Sequence, residues 1–164
     1  MRYLYSILLL CCPFLLAAQG YTGGAVGSFD VYDIQSISIT GLKGIVNFND
    51  PSDYFGGQTV NNYAQVSIKS NNNWQVSVST NSSKFTPLTT GASKDMPSTI
   101  LQIRVNGKAN FINMTINSQT LKTGNRGGIK KSGNEFNIDM KFDPGYKYNG
   151  GLYDIGLIYT LTRQ

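Results

Sequence analysis

Val66-Ser67-Ile68-Lys69-Ser70-Asn71-Asn72-Asn73-Trp74-Gln75-Val76-Ser77-Val78 is the stretch that decides the fold. Apolar and polar residues alternate on both sides of three asparagines, the period of a strand with one buried face. The stretch reads as a strand over residues 64–70, a tight polar turn at Asn71-Asn72-Asn73, and a return strand over residues 74–80. Together they form an expected β-hairpin. Trp74, Val76 and Val78 share one face, and Gln75, Ser77 and Ser79 the other. Trp74 therefore reads as a core residue whose indole N–H requires an acceptor.

The same period extends outward. Residues 100–105 and 111–116 read as strands around an Asn106-Gly107-Lys108 turn. Residues 135–142 alternate cleanly until Asp143-Pro144-Gly145 breaks them, with Asp139 on the outward face. Residues 152–162 form a long apolar final strand, expected inside a sheet because an exposed apolar edge invites aggregation. Toward the N-terminus, residues 29–32, 34–39 and 45–48 read as short strands, and residues 49–57 and 118–133 as loops. No segment has a helical period. The expected fold is all-β, an immunoglobulin-like antiparallel β-sandwich of seven to nine strands, with a small barrel as the alternative. The C-terminal strand looks complete and the Gly-rich lead-in makes a poor donor strand, so the domain reads as self-sufficient.

Residues 1–18 read as an export signal: a basic start at Arg2, an apolar run over residues 7–16, and the small residues Ala17-Ala18. The run is too short to span a bilayer, which takes about 20 residues. Cys11 and Cys12 lie inside the run and follow Leu10, which argues against a lipoprotein signal. Cleavage after Ala18 exposes Gln19; cleavage after Gly20 is the alternative. Residues 19–28 form a Gly-rich flexible lead-in, and residues 29–164 one β-sandwich domain. The expected location is secreted or at the cell surface.

The signal holds both cysteines, and the whole chain has no histidine. Roughly 146 residues remain, enough for one core held by packing and ladder hydrogen bonds without disulfides. Without His or Cys there is no Ser-His-Asp triad, no thiol nucleophile and no His/Cys zinc site. Ser67-Ile68-Lys69 and Ser93-Lys94 lack the Ser-x-x-Lys spacing. Glu135 is the single glutamate, a solvated strand charge rather than half of a glycosidase pair. The chain reads as non-catalytic.

Val66 through Val78, followed by Lys84-Phe85-Thr86, resembles the strand, polar turn, Trp-x-aliphatic strand and Phe-Thr succession of WxL-type surface domains. Asp143-Pro144-Gly145, Gly150-Gly151-Leu152-Tyr153-Asp154-Ile155 and Tyr159-Thr160-Leu161-Thr162 are similar to the close of WxL domains and of spore coat U-type, fimbria-like domains. Val76 stands where the name motif has Leu, and Tyr159 where a second Trp-x-Leu would begin. Fimbria-like relatives often carry a disulfide, which this chain cannot form. The resemblance implies a bacterial surface β-sandwich that adheres non-covalently to cell-wall polysaccharide or to other surface proteins.

Three groups of residues are candidate contacts. Tyr54, Phe55, Tyr146 and Tyr148 lie in loops and could stack on sugar rings, the basis of a carbohydrate-binding reading. Lys122, Arg126, Lys130 and Lys131 lie in a stretch without an acid and could meet an anionic polymer; the precursor charge is +5. Asn49, Asp50 and Asp53, with Asn47, offer hard oxygens for calcium, and the same residues are what an ordinary turn uses to bond its own backbone. No cofactor is expected otherwise. Nucleic acid is not an expected partner of an exported chain without a binding motif. Nothing in the sequence sets an oligomeric state.

Overall fold

Among the described residues alternation becomes ten strands, against an expected seven to nine. The computed structural model describes residues 28–164, and Tyr32–Gln164 form one compact unit. The expected export signal and all but the last residue of the lead-in lie outside the described residues. In chain order the elements are β1 (Gln35–Thr40), α1 (Pro51–Gly56), β2 (Gln58–Ser70), β3 (Trp74–Thr80) and β4 (Thr86–Pro87). There follow a single 3-10 turn (Ser98–Ile100), β5 (Leu101–Val105), β6 (Ile112–Asn113) and β7 (Gln119–Gly124). Last come β8 (Glu135–Phe142), β9 (Tyr153–Asp154) and β10 (Leu157–Arg163). A five-stranded sheet runs β1-β2-β8-β5-β6, a three-stranded sheet β10-β3-β7, and β4 and β9 form a small ribbon. All pairings are antiparallel.

The core lies between the two larger sheets. Val66 and Ile68 of β2, Leu101 and Ile103 of β5, and Ile138 and Met140 of β8 pack in one cluster with Trp74, Val76 and Val78 of β3. Each such side chain, taken out of water, contributes about 1.5–3 kcal/mol. The Trp74 and Phe136 rings stack across the sandwich, 6.4 Å apart and 8° from parallel. The Trp74 N–H finds two acceptors, the Asn125 carbonyl at 3.0 Å and Asn134 Oδ1 at 3.2 Å.

The expected hairpin is instead an arch. β2 and β3 belong to different sheets, and the three asparagines carry the chain from one to the other. Paired side by side, Val66 and Ile68 would share a surface with Trp74, Val76 and Val78 and still need a cover. On facing sheets the two apolar faces cover each other. The turn's polar atoms bond outward as well as within it. Asn71 Oδ1 accepts the Ile34 N–H at 2.9 Å, and its Nδ2 donates to the Tyr32 carbonyl at 2.7 Å. Asn71→Ala removes both bonds and is expected to cost about 1–2 kcal/mol. Urea unfolding should show this as a lower midpoint with an unchanged slope.

Other expectations are corrected too. Residues 118–133 contain β7, which pairs with β3 around a register shift between Val76 and Ser77. The final strand is broken between β9 and β10 at Gly156, whose N–H and carbonyl both bond Asn81, each at 3.0 Å. β10 is an edge strand, paired to β3 alone. Residues 49–57 contain the helical turn α1. Residues 29–32 and 45–48 form no strand, and residues 111–116 pair only over Ile112–Asn113. Asp139 lies on the face opposite Ile138 and Met140, as its alternation predicts, but it is fully buried there rather than solvated. Among the described residues, no helix is long and apolar enough to cross a membrane.

Candidate functional site

At one end of the sandwich α1 organises a group of aromatic rings. Asp50-Pro51 starts the helix, with Pro at a position where a missing N–H costs nothing. Asp53 then turns back on the entering chain: its Oδ2 accepts the N–H of Asn49 at 2.9 Å and of Asp50 at 3.0 Å. The Asp50 N–H holds the Asp53 carboxyl below its ordinary range; partial desolvation opposes this, and Asn49 and Gln58 reinforce it. One oxygen of the proposed calcium set is thereby committed to backbone, the use an ordinary turn makes of it. Asn49 and Asp50 are exposed. Among the described residues no three Asp, Glu, His or Cys side chains gather as a metal site.

The capped turn aims Tyr54 and Phe55 to one side. Gly57 follows with φ 69°, and a Cβ there would collide with the Phe142 carbonyl at the end of β8. That close approach brings the helix beside Tyr146, four residues past β8. Tyr54 stacks on Tyr146, with centroids 5.1 Å apart and planes at 23°. Phe55 meets Tyr146 edge-on at 5.5 Å, and Phe48 backs Tyr54 at 5.3 Å. The Tyr146 hydroxyl donates to the Pro51 carbonyl at 2.9 Å. Phe55 is 81% exposed and Tyr146 63%. Three of the four candidate aromatics thus come together, and Phe48 joins them. Tyr148 does not: it packs against the core, with the Lys147 ammonium 5.6 Å from its ring centre.

The basic residues gather toward the opposite end. β2 pairs with Phe142 at Gln58 and with Glu135 at Ser67, and with two residues taken up in the shift between Val60 and Ala64 its 13 residues separate the two ends by roughly 33 Å. Lys122 leaves the group. Its ammonium lies 4.3 Å from the Phe136 ring centre, and burial, followed by repulsion from Lys108, pushes its pKa down. Arg126, Lys130 and Lys131 are exposed in the connection after β7. Reciprocal backbone bonds between Gly127 and Ser70 pin that connection to the end of β2. Arg126 there meets Lys69 at the wall of a shallow cleft. Lys69 escaped sequence reading because it occupies an ordinary solvent-facing place in an alternating strand.

The two acids of β8 do not form a hydrolytic pair. Four residues along a strand separate Glu135 from Asp139 by about 13 Å, beyond the spacing of about 9.5 Å at most in inverting glycosidases. Asp139 is also committed to Arg104, with Nε donating to its Oδ2 at 2.9 Å. No protein-family model matches the chain, and no curated protein matches it.

Proposed function

We propose that this chain is an exported, non-catalytic binding module of the cell surface, and that it holds a polysaccharide through the rings of Phe55, Tyr146 and Tyr54. The observation that carries this reading is a pair of large exposed aromatic rings in mutual contact, Tyr146 fixed by Tyr54 and the Pro51 carbonyl and Phe55 set edge-on against it. Exposed rings normally seek burial. A ring already ordered loses little entropy when a ligand stacks on it. The apolar C–H face of a sugar fits such a ring. The likeness to WxL-type and fimbria-like surface domains belongs to the same proposal.

Retention of the mature chain on insoluble cell-wall polysaccharide tests this. Wild type is expected to be retained, with or without a calcium chelator, and Phe55→Ala/Tyr146→Ala to lose retention by about tenfold or more. Tyr146→Phe keeps the ring and should keep most of the binding. No retention of the wild type, or equal retention of the double variant, overturns the reading.

A second reading, binding to another surface protein by strand addition, rests on β10. It has one neighbour, an unbroken register from Leu157 to Arg163, no proline, and Ile158 half exposed. Edges of this kind accept an added strand.

A further inference from the structure

A cleft lies at the arch, at the other end of β2 from the aromatic platform. Two adjoining hollows of about 400 Å³ and about 350 Å³ meet at Arg126. The first is bounded by Ile34, Lys69, Gly127 and Gly128, and its surface is mainly apolar. The second is bounded by Asn72, Asn73 and Gln164. One half is therefore largely apolar and the other polar, with a guanidinium between them.

The free donors point to the ligand's chemistry. Among the described residues the Arg126 guanidinium and the Lys69 ammonium make no ion pair or hydrogen bond. Arg126 holds its place through its backbone, whose N–H donates to Asn73 Oδ1 at 3.3 Å. The near acid, Asp33, is occupied: Arg163 Nη1 donates to one oxygen at 2.7 Å and Asn72 Nδ2 to the other at 2.9 Å. A planar guanidinium with no protein carboxylate matches a carboxylate from outside, two N–H groups to two oxygens. The polar half suits hydroxyls, with Asn73 Nδ2 and Gln164 Oε1 outside the internal hydrogen bonds among the described residues, and the Ile34 side suits the C–H face of a ring.

We propose that this cleft binds a carboxylate-bearing sugar unit of an acidic glycan, with Arg126 as its anchor and Lys69 as a second positive contact. Of the basic residues singled out in the sequence, Arg126 is central, Lys130 and Lys131 add long-range attraction, and Lys122 takes no part. A module with a neutral stacking surface at one end and an acidic-sugar cleft at the other joins two polymers.

Titration calorimetry of the full chain with an oligogalacturonate, against a neutral oligosaccharide of equal length, tests the proposal. The oligouronate is expected to bind, the neutral sugar to bind at least tenfold more weakly at this site, and added salt to weaken the oligouronate. Arg126→Ala should lower oligouronate affinity about 10- to 100-fold, and Lys69→Ala less. Arg126→Lys should restore only part of the loss, because an ammonium lacks the fork. Phe55→Ala/Tyr146→Ala should leave the oligouronate affinity unchanged, which separates this site from the platform. Arg126 is exposed and bonds only through its backbone, so its variants are expected to fold, with circular dichroism as the check. Absence of oligouronate binding, equal binding by Arg126→Ala, or equal binding of the neutral sugar to the Phe55→Ala/Tyr146→Ala chain, whose platform is removed, overturns the proposal.

Discussion

Asp139→Ala is expected to cost about 3–5 kcal/mol of folding stability, a large part of the roughly 5–15 kcal/mol that holds a domain together. The carboxylate has no exposure to solvent. Burial alone would raise its pKa, yet the pKa is lowered, because Asn106, the Asn62 N–H and Arg104 together outweigh desolvation. Oδ1 accepts from Asn62 N–H and Asn106 Nδ2, both at 3.0 Å, and Oδ2 from Arg104 Nε at 2.9 Å. The Asn62 bond coincides with a register shift between Val60 and Ala64, where Asn62 takes φ 52° and its N–H donates to Asp139. Alanine would strand three donors at once. Arg104 can recover part of the loss, since it is 25% exposed and already lies 4.4 Å from the Phe111 ring centre. Asp139→Asn keeps an acceptor and should cost less.

The same site sets an acid limb. The folded state binds the Asp139 proton more weakly than the unfolded chain does, so its stabilisation is complete above the ordinary aspartate value of 3.8. It is withdrawn as pH falls through that value toward the lower folded one. Urea midpoints should fall on acidification in wild type and fall less steeply in Asp139→Asn. Equal slopes in the two proteins would show that other carboxylates carry the acid response.

What sequence alone could reach follows from which interactions are local. Alternation at residues 66–69, 74–78 and 136–142 depends on near neighbours, and it reports burial correctly for Val66, Trp74, Val76 and Ile138. It does not report the partner. A strand-turn-strand reads the same whether its halves pair or face each other, so the arch at Asn71–Asn73 looked like a hairpin. β7 was hidden because Gln119-Thr120-Leu121-Lys122-Thr123-Gly124 holds a single large apolar residue, and β3 rather than its own pattern gives it a place. Asp139 keeps the face that alternation assigns it, but its burial is not legible locally, because its partners come from residues 62, 104 and 106. The aromatic site was partly legible: Tyr54, Phe55 and Tyr146 were singled out as loop residues, but only the approach of Gly57 to β8 joins them. Tyr148 parts from Tyr146 because one residue type at alternate positions does not share an environment once the strand has ended.

Trp74→Ala is expected to match or exceed the loss at Asp139, about 3–5 kcal/mol from the cavity alone. It also removes the donor that Asn134 Oδ1 and the Asn125 carbonyl accept, and Asn134 is itself fully buried. The more discriminating variant is Gly124→Ala. Gly124 lies opposite Trp74 at the end of β7, and the indole lies over its Cα. A Cβ there would run into the six-membered ring at Cζ2, within 2.5 Å of Cε2 and 2.8 Å of Cη2. The ring has nowhere to retreat, because Phe136 stacks on it and two acceptors hold its N–H. One added methyl should therefore cost about 1–3 kcal/mol by overpacking. The glycine is required for space and not for backbone conformation, since its φ lies outside the left-handed region. In a Trp74→Leu background the ring is gone, and Gly124→Ala should become nearly neutral, a coupling of about 1–3 kcal/mol in a double-mutant cycle followed by circular dichroism. Equal cost in both backgrounds would instead place the origin of the penalty in the β3–β7 ladder.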